Sequence, residues 1–342
     1  MKIKDIANEL HLSISTVSKA LNGGFDISKE TKELVLNYAK EHGYKAREER
    51  LKTSYGRKLC VLYDNNTVNN QANIVIPLAL AFSRYAREAN FDVVHIPCDA
   101  IKDNYDKFME ERKYDGALIA GINYKSPLYK ELKNTKTPTV LLDNVIENNN
   151  ISSVSSESIN AITEIVTMLA KLGHKKIGFI HADKLSFVTN KRFAGYIIGL
   201  TTNDLEYNPN YIYYGSYSEE SGKEAAKYFI NTDVTAIVCP SDTIAIGLMQ
   251  ELQNLGVKIP EDISITGYDD LEIARYVKPS LTTVRQNIEV MAEKSFSLLS
   301  AMLMNRYPQT VTINSEIMKR DSVCEAKNKD FWFSNSKVFF SL

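Results

Sequence analysis

Short apolar runs alternate with amphipathic segments over most of this chain of 342 residues. The runs at 59–63, 116–120 and 236–239 carry apolar residues at consecutive positions, not at every second position. Strands of this composition are buried on both faces, as in parallel sheets that are covered by crossover helices. The alternation therefore predicts an α/β architecture with doubly wound parallel sheets.

The alternating pattern falls into two consecutive halves of similar size. The predicted strands are 59–63, 92–96, 116–120 and 139–142 in the first half, and 176–180, 211–214, 236–239 and 263–266 in the second. The predicted helices are 76–89, 103–113, 158–172, 192–200, 220–231 and 242–255, followed by a helix at 288–304 and a late strand at 310–317. Two α/β halves in series imply a cleft between them, because ligands of parallel sheets bind beyond the carboxyl ends of the strands.

Aspartate and asparagine side chains follow the predicted strands. They occur at 64–66, 143–144, 183, 242 and 269–270. Carboxylates and amides exchange hydrogen bonds with vicinal hydroxyl groups, so the set indicates a polar cleft for a polyhydroxylated ligand. Alternatively, each of these residues is a turn former or a helix N-cap, which the loops of such folds need in any case.

The N-terminal segment predicts two short helices joined by a tight turn. The apolar positions at helical spacing are Ile3, Ile6, Ala7 and Leu10 in the first helix, and Val17, Ala20 and Leu21 in the second. Ser13, at the end of the turn, is a predicted N-cap. Such a pair is typical of a helix-turn-helix, whose second helix lies in the DNA major groove. The alternative is a small helical bundle with no role in DNA binding.

The outward side chains of the second predicted helix suit contact with DNA. Ile14 and Ser15 lie at its start, and Lys19 lies one turn further along the same face. The small polar groups able to reach phosphates or bases are Thr16, Ser18 and Asn22. A third helix is predicted after the N-cap Ser28, with an apolar stripe at Leu34, Val35, Tyr38 and Ala39 and an end at Gly43.

Charge is unevenly distributed, although the whole chain has a net charge of -1. Residues 1–58 hold twelve lysines and arginines against eight aspartates and glutamates, a net charge of +4, and the remainder has a net charge of -5. A basic arm on an acidic body fits a DNA-binding module joined to a different domain.

The four cysteines are predicted to be reduced, and no leader peptide, membrane span, metal-ligand spacing or cofactor motif is expected, so the protein is predicted to be cytoplasmic.

Several runs make the N-terminal segment similar to a known family. The runs Ile-Lys-Asp-Ile-Ala, Leu-Ser-Ile-Ser-Thr-Val-Ser-Lys-Ala-Leu-Asn, Ile-Ser-Lys-Glu-Thr and Gly-Tyr resemble the headpiece of the lactose-repressor (LacI/GalR) family of bacterial transcription regulators. The resemblance implies that Ile14, Ser15 and Lys19 read bases. The other DNA-binding positions that it implies are Thr16, Ser18, Asn22, Tyr44 and Leu51.

The segment 46–57 has the composition of a linker with some helical propensity. In the family this segment folds into a hinge helix on DNA, and a leucine wedges the minor groove. Leu51 is the apolar candidate for that role. The chain departs from the family pattern at Ala46 and Arg47, where the family usually has Pro and Asn, so a hinge helix and a plain solvated linker both remain open.

The resemblance extends over residues 58–325. It rests on the run from Leu172 to Ile177, the run from Arg192 to Tyr196, Ser241-Asp242, the run from Ile259 to Asp270, and the run from Pro279 to Val284. It implies a periplasmic-binding-protein-like core whose effector is usually a sugar or sugar derivative. The implied effector contacts are Asp64, Asp143, Arg192, Tyr217, Ser241 and Asp269. Alternatively, Arg192 and Asp269 form a buried structural ion pair, and Tyr217 belongs to the core.

The predicted organisation is a headpiece at 1–45, a linker or hinge at 46–57, and two core subdomains with an unassigned aromatic tail. The subdomains comprise 58–157 with 287–314, and 158–286 with 315–326, and the tail is 327–342. The predicted function is a homodimeric transcription regulator, expected to repress carbohydrate-metabolism genes. Its partners would be double-stranded operator DNA and a sugar-like effector.

Two other functions fit parts of the sequence. A cytosolic or exported sugar-binding protein without DNA regulation would account for the core, but the fused DNA motif argues against it. A sugar-modifying enzyme would use the carboxylates of the cleft, but no nucleophile elbow, phosphate loop or metal-ligand spacing supports one.

Overall fold

The computed structural model describes residues 3–21, 27–42, 57–64, 74–102 and 104–326. The chain divides into two compact units, residues 1–57 and residues 58–342. We call the helical part of the first unit the headpiece and the second unit, with the strand that leads into it, the core.

Three helices of the headpiece surround a small apolar centre. They are α1 (Ile3–Glu9), α2 (Ile14–Leu21) and α3 (Lys29–Glu41). Ser13 Oγ accepts a hydrogen bond from Thr16 N at 3.0 Å, and Ser28 Oγ accepts one from Thr31 N at 3.1 Å. These bonds satisfy amide groups that have no partner within the helix, so both predicted N-caps are confirmed.

The apolar stripe predicted for α3 is wrong at one position. Val35 and Ala39 are buried, but the side chain of Leu34 is 52% exposed. Val35 and Ala39 lie four residues apart on one face, whereas Leu34 is rotated about 100° from Val35 around the helix. α3 therefore presents a narrower face to the centre than the sequence suggested.

The core consists of alternating strands and helices. Its strands are β1 (Arg57–Tyr63), β2 (Phe91–Pro97), β3 (Gly116–Ala120), β4 (Thr139–Leu142), β5 (Ile151–Ser156), β6 (Ile177–His181), β7 (Ile212–Tyr214), β8 (Ala236–Val238), β9 (Ser264–Thr266), β10 (Thr283–Arg285), β11 (Thr310–Ile313) and β12 (Glu316–Met318). Its helices are α4 (Val75–Glu88), α5 (Tyr105–Glu111), α6 (Pro127–Leu132), α7 (Ser158–Lys171), α8 (Phe187–Thr202), α9 (Glu219–Phe229), α10 (Asp242–Asn254) and α11 (Ile288–Leu303).

The strands form two larger sheets. The six-stranded sheet has the order β11-β5-β4-β3-β1-β2, and the four-stranded sheet has the order β7-β6-β8-β9. Neighbouring strands from β11 to β1, and throughout the four-stranded sheet, run parallel. β10 and β12 form a separate antiparallel pair.

Helices cover both faces of each sheet. In β1, Leu59 and Val61 pack with α4 and α11, whereas Cys60 and Leu62 pack with α5 and α6. β8 alternates in the same way between α7 with α8 and α9 with α10. Successive side chains of a strand point to opposite faces, so both faces of these strands are buried. The predicted doubly wound α/β architecture is confirmed.

We call the six-stranded sheet with α4, α5, α6 and α11 the N-terminal subdomain. The four-stranded sheet, the β10–β12 pair and α7 to α10 form the C-terminal subdomain. Within the described residues, the chain passes between the subdomains in three short crossover segments. The first crossover is 156–158, the second is 285–288 and the third is 313–316.

Two strand predictions are wrong in instructive ways. The predicted strand 310–317 is two strands, β11 and β12, which lie in different subdomains because the chain crosses over at 314–315. β5 was not predicted at all, because its sequence, Ile-Ser-Ser-Val-Ser-Ser, has the composition of a loop. All six of its residues are nevertheless buried, between β4 and β11.

A buried carboxylate ties the β10–β12 pair to the end of the four-stranded sheet. Asp270, whose side chain is 2% exposed, accepts hydrogen bonds from Arg320 and, at 2.7 Å, from Arg285 Nε. A third arginine, Arg275, has its Nη2 atom 3.6 Å from Asp270 Oδ2. Burial alone would raise the pKa of Asp270, but the hydrogen bonds from Arg320 and Arg285 outweigh it and hold that pKa below its ordinary value.

We predict that Asp270→Asn destabilises the core at neutral pH. Asp270 is buried and the side chain of Arg320 is only 13% exposed, so removing the carboxylate leaves a mostly buried arginine without its acidic partner. The free energy of unfolding should therefore fall by about 2–4 kcal/mol. A carboxyl with a depressed pKa stabilises the fold above its unfolded pKa, and this contribution is lost as the pH falls through its folded pKa. In urea unfolding, the difference in the free energy of unfolding between wild type and Asp270→Asn should therefore be smaller at acidic pH than at neutral pH.

Asp204→Asn is the matched control for this prediction. Asp204 is exposed and has a φ of 54°, close to the 52° of Asp270. The backbone demands on the substitution are therefore the same at both positions. Equal stabilities of the two variants at pH 7 would contradict a role for the arginine cluster.

Candidate functional site

A cavity of about 690 Å³ lies between the two subdomains, at the carboxyl ends of their strands. The structure brings all six of the predicted effector-binding residues into the lining of this cavity: Asp64, Asp143, Arg192, Tyr217, Ser241 and Asp269. Asn123, Asn144, Asp183 and Gln286 are polar lining residues that the predicted set did not include.

Among the described residues that line the cavity, Arg192 is the one cation, and it is 3% exposed. It extends from α8, donates a hydrogen bond from Nη1 to the carbonyl of Pro240, and stacks on Tyr268 with Cζ 3.6 Å from the ring centroid. Burial lowers its pKa, but Tyr217 and the carboxylates of Asp269 and Asp143 outweigh this effect and raise the pKa. The guanidinium is therefore held charged in a low-dielectric site.

Asp269 faces this guanidinium. Its Oδ1 lies 3.7 Å from Arg192 Nη2 and accepts a hydrogen bond from Gln286 Nε2 at 2.7 Å. Burial, with a smaller contribution from nearby Asp143, raises the pKa of Asp269 to about 6 against the lowering effects of Arg192 and Gln286. Arg192 and Asp269 therefore form the buried ion pair that was the alternative to effector contacts, and both residues also line the cavity.

Two buried amide oxygens lack a hydrogen-bond partner among the described residues. Asn144 donates from Nδ2 to the carbonyl of Ile122 at 2.8 Å, but its Oδ1 accepts nothing. Gln286 donates to Asp269, and its Oε1 is likewise unpaired. Because a buried acceptor without a donor costs free energy, these two oxygens suit a ligand that carries hydroxyl or amine hydrogens.

Ser241 and Tyr217 have structural contacts as well as cavity positions. Ser241 Oγ caps α10 by accepting a hydrogen bond from Ile244 N at 3.3 Å. The hydroxyl of Tyr217 lies 2.7 Å from Thr189 Oγ1, and its ring packs on the core of the C-terminal subdomain. Asp64 is half-buried at the end of β1.

Hydrogen bonds join the two subdomains beside the cavity. Asn123 Nδ2 donates to Asp183 Oδ2 at 3.2 Å, and both residues line the cavity. The next backbone amide, Tyr124 N, donates to the carbonyl of Leu185 at 3.2 Å. These bonds help to fix the relative orientation of the subdomains.

In the headpiece, α2 exposes one face and buries the other. Ile14 is 53% exposed, Ser15 and Lys19 are also exposed, and Thr16 and Ser18 are half-buried. The buried residues of α2 are Val17, Ala20 and Leu21. The remaining predicted DNA contacts, Asn22, Tyr44 and Leu51, lie outside the described residues.

The part of the chain that the structure describes offers no metal site and no membrane span. No group of three or more His, Cys, Asp and Glu side chains there is placed to hold a metal ion. None of the helices described is long and apolar enough to span a membrane.

We predict that Arg192→Met raises the pKa of Asp269 above 6. The guanidinium is the largest influence that lowers this pKa, and methionine has no charge to replace it. The measurement is a ¹³C titration of the aspartate carboxyls, with the resonance assigned from Asp269→Asn. Lys191→Met, which removes a neighbouring charge from the same helix, should leave the pKa near 6. An unchanged pKa in Arg192→Met would contradict the described geometry.

Family models match both units of the chain. Residues 2–46 match the model described as bacterial regulatory proteins, lacI family, and residues 166–323 match a periplasmic binding protein-like domain. The first match covers α1, α2 and α3, and the second covers most of the C-terminal subdomain.

Relatives are similar over nearly the whole chain. The chain is 27% identical over 333 residues to "Probable HTH-type transcriptional repressor ExuR" of Bacillus subtilis (strain 168), covering 94% of this chain and 98% of that protein. It is 26% identical over 332 residues to catabolite control protein A of Priestia megaterium, covering 93% and 95% of the two chains.

Solved structures show the same fold. The complex of the transcriptional regulator CelR with cellobiose superposes with a TM-score of 0.72 at 22% identity, covering 94% of this chain and 99% of that chain. A regulatory protein of the LacI family from Chloroflexus aggregans superposes with a TM-score of 0.70 at 25% identity, covering 78% and 98%. The predicted resemblance is thereby confirmed: the chain joins a DNA-binding domain of the lacI family of bacterial regulatory proteins to a periplasmic-binding-protein-like domain, and it is a DNA-binding regulator of transcription.

Proposed function

We propose that this regulator is a repressor whose affinity for operator DNA changes when an uncharged saccharide occupies the cavity of the core. The observation that carries the proposal is the convergence of carboxylates, amides and one guanidinium in a cavity of about 690 Å³. That volume lies within the range of about 300–1,000 Å³ that small-molecule sites usually have.

The charges of the cavity favour a neutral ligand over an anionic one. The described lining contains four aspartates and one arginine, and that arginine already contacts Asp269, Tyr268 and the carbonyl of Pro240. A carboxylated or phosphorylated sugar would bring further negative charge beside these carboxylates. The hydroxyl groups of a neutral saccharide would instead donate to Asn144 Oδ1 and Gln286 Oε1.

Related structures agree with a saccharide. CelR was solved with cellobiose, and a LacI family regulator from Enterococcus faecium was solved with bound ribose. We extend this ligand class to the present chain on the strength of its own cavity chemistry. The proposed contacts are Asp64, Asp143, Arg192, Tyr217, Ser241 and Asp269, together with Asn144 and Gln286.

The cavity binds its saccharide without converting it, in our proposal. Asp143 and Asp269 have raised pKa values, with burial as the largest cause, and such values also occur in acid–base catalysts. Here both carboxylates interact with Arg192, which suits a charged ligand-binding network. The saccharide recovered after prolonged incubation should be unchanged.

The proposed DNA contacts come from α2. Ile14, Ser15 and Lys19 would face base edges, while Thr16 and Ser18 would support the helix on phosphates. Asn22, Tyr44 and Leu51 complete the proposed set from the sequence alone. The assignments of 1–45 as headpiece and 46–57 as hinge or linker belong to the same proposal.

A homodimer would present two headpieces to a palindromic operator. On α4, Ile76 is 37% exposed and Leu80 is 61% exposed, so this helix offers an apolar surface for a second copy.

We place the protein in the cytoplasm, where its operator is. The positions of the crossovers support the two proposed subdomains, 58–157 with 287–314 and 158–286 with 315–326, and the tail at 327–342 has no assigned role.

Binding to DNA from upstream of the chain's own and neighbouring genes tests the DNA-binding role. Lys19→Ala should weaken specific binding by about 5-fold to 150-fold, since one base contact is worth about 1–3 kcal/mol. Binding to scrambled DNA, which depends on phosphate contacts and salt, should change less. Lys171→Ala removes an exposed lysine of the core and should leave both affinities unchanged. Equal losses on specific and scrambled DNA would exclude base recognition by Lys19.

The effector is tested with matched saccharides by calorimetry and by their effect on operator binding. Ribose, glucose and cellobiose form the neutral panel, and ribose 5-phosphate, glucose 6-phosphate and glucuronate form the anionic panel. A response confined to the anionic panel would overturn the proposed ligand class.

Effector affinity should also depend on pH. The ionised carboxylate of Asp269 accepts hydrogen bonds from ligand hydroxyls, and its pKa is about 6. Affinity should therefore fall as the pH is lowered from about 7.5 to about 5, because protonation removes part of that acceptor capacity. Asp269→Asn should bind weakly and with a flatter pH profile. A wild-type affinity that rises in acid would contradict the assigned role.

A further inference from the structure

One buried tyrosine connects the ligand cavity to the crossovers. Tyr268 is completely buried, and its ring lies under the guanidinium of Arg192, with Cζ 3.6 Å from the ring centroid. Its hydroxyl lies 3.0 Å from Ser156 Oγ, 3.4 Å from Ser158 Oγ and 3.4 Å from Ser315 Oγ. The ring thus contacts a cavity residue while the hydroxyl reaches two crossovers.

The three serines belong to the segments that must bend if the subdomains move. Ser156 and Ser158 are the end residues of the first crossover, and Ser315 lies in the third. The residue after Tyr268, Asp269, accepts a hydrogen bond from Gln286 of the second crossover at 2.7 Å. Two consecutive residues therefore contact each of the three crossovers defined above.

We propose that Tyr268 is the positioning residue that couples occupancy of the cavity to the orientation of the subdomains. This inference rests on the proposed function, because it concerns how the same cavity regulates DNA binding. A ligand that engages Arg192 fixes the guanidinium over the ring, and the ring fixes the hydroxyl among the crossover serines. Rotation between subdomains is absorbed by a few residues at such connections. The ligand and the crossovers then both act on the position of Tyr268, and coupling between two sites requires such a shared element.

The hydroxyl can be removed without disturbing the cavity wall. Tyr268→Phe keeps the aromatic ring and its stacking on Arg192, and it loses only the contacts with Ser156, Ser158 and Ser315. Saccharide binding should therefore persist, while the link from the ring to the first and third crossovers is lost.

The test compares full-length wild type and Tyr268→Phe, with ribose, glucose and cellobiose as probes. Calorimetry gives the Kd for each probe, and operator binding gives the ratio of the operator Kd with saturating probe to that without it. Tyr268→Phe should keep the probe Kd within about threefold of wild type. The ratio of operator Kd values in Tyr268→Phe should be at least about threefold closer to one than in wild type, because a ratio of one means that the saccharide no longer affects DNA binding.

Tyr196→Phe is the matched control. Tyr196 is also completely buried in the C-terminal subdomain, and its hydroxyl donates to the carbonyl of Ile177 at 2.8 Å, away from the crossovers. Both substitutions remove one buried tyrosine hydroxyl, so both should lower stability by similar amounts. Only Tyr268→Phe should change the ratio of operator Kd values.

The possible outcomes separate this inference from the proposed function. A wild-type protein whose operator affinity responds to no saccharide would overturn the proposed function. A responsive wild type with an equally responsive Tyr268→Phe would overturn the inference alone. If Tyr268→Phe does not fold, Ser156→Ala and Ser315→Ala test the same contacts from the crossover side. A wild-type ratio in both serine variants would also overturn the inference.

Discussion

A buried guanidinium organises the core of this regulator. Arg192 is almost fully removed from water, and its charge is accommodated by Asp269, the carbonyl of Pro240 and the ring of Tyr268. A buried charge needs such compensation, because its desolvation is otherwise too costly. The carboxylates around it are in turn desolvated, which raises the pKa values of Asp143 and Asp269. Charge, ligand chemistry and pH response in the cavity thus have one physical origin.

The sequence was most informative where structure is set locally. Ser13 and Ser28 could be identified as N-caps because capping depends on residues three positions apart. The cavity positions of Asp64, Asp143 and Asp269 were also predictable, since the carboxyl ends of parallel strands meet at one edge of a sheet. Family resemblance then selected Arg192 on α8, where spacing alone offered no reason to choose it.

Features that depend on tertiary contacts could not be predicted from the sequence. β5 is buried although it contains four serines, and their hydroxyls find partners that are distant in sequence, such as Tyr268 for Ser156 and Met302 for Ser152. Gln286 follows a three-residue strand that the hydropathy pattern does not reveal. Tyr268 resembles an ordinary core aromatic until the positions of Arg192 and the crossover serines are known. Long-range neighbours of this kind leave no periodic signal in the chain.

The brevity of the crossovers limits how the subdomains can move. One residue separates β5 from α7, and two residues separate β11 from β12. Since an extended chain advances at most about 3.6 Å per residue, the third connection from Ile313 to Glu316 spans no more than about 11 Å. The subdomains therefore cannot draw apart along the line between them. With three such short tethers side by side, the remaining freedom is a swivel about the tethers, which displaces the parts furthest from them the most.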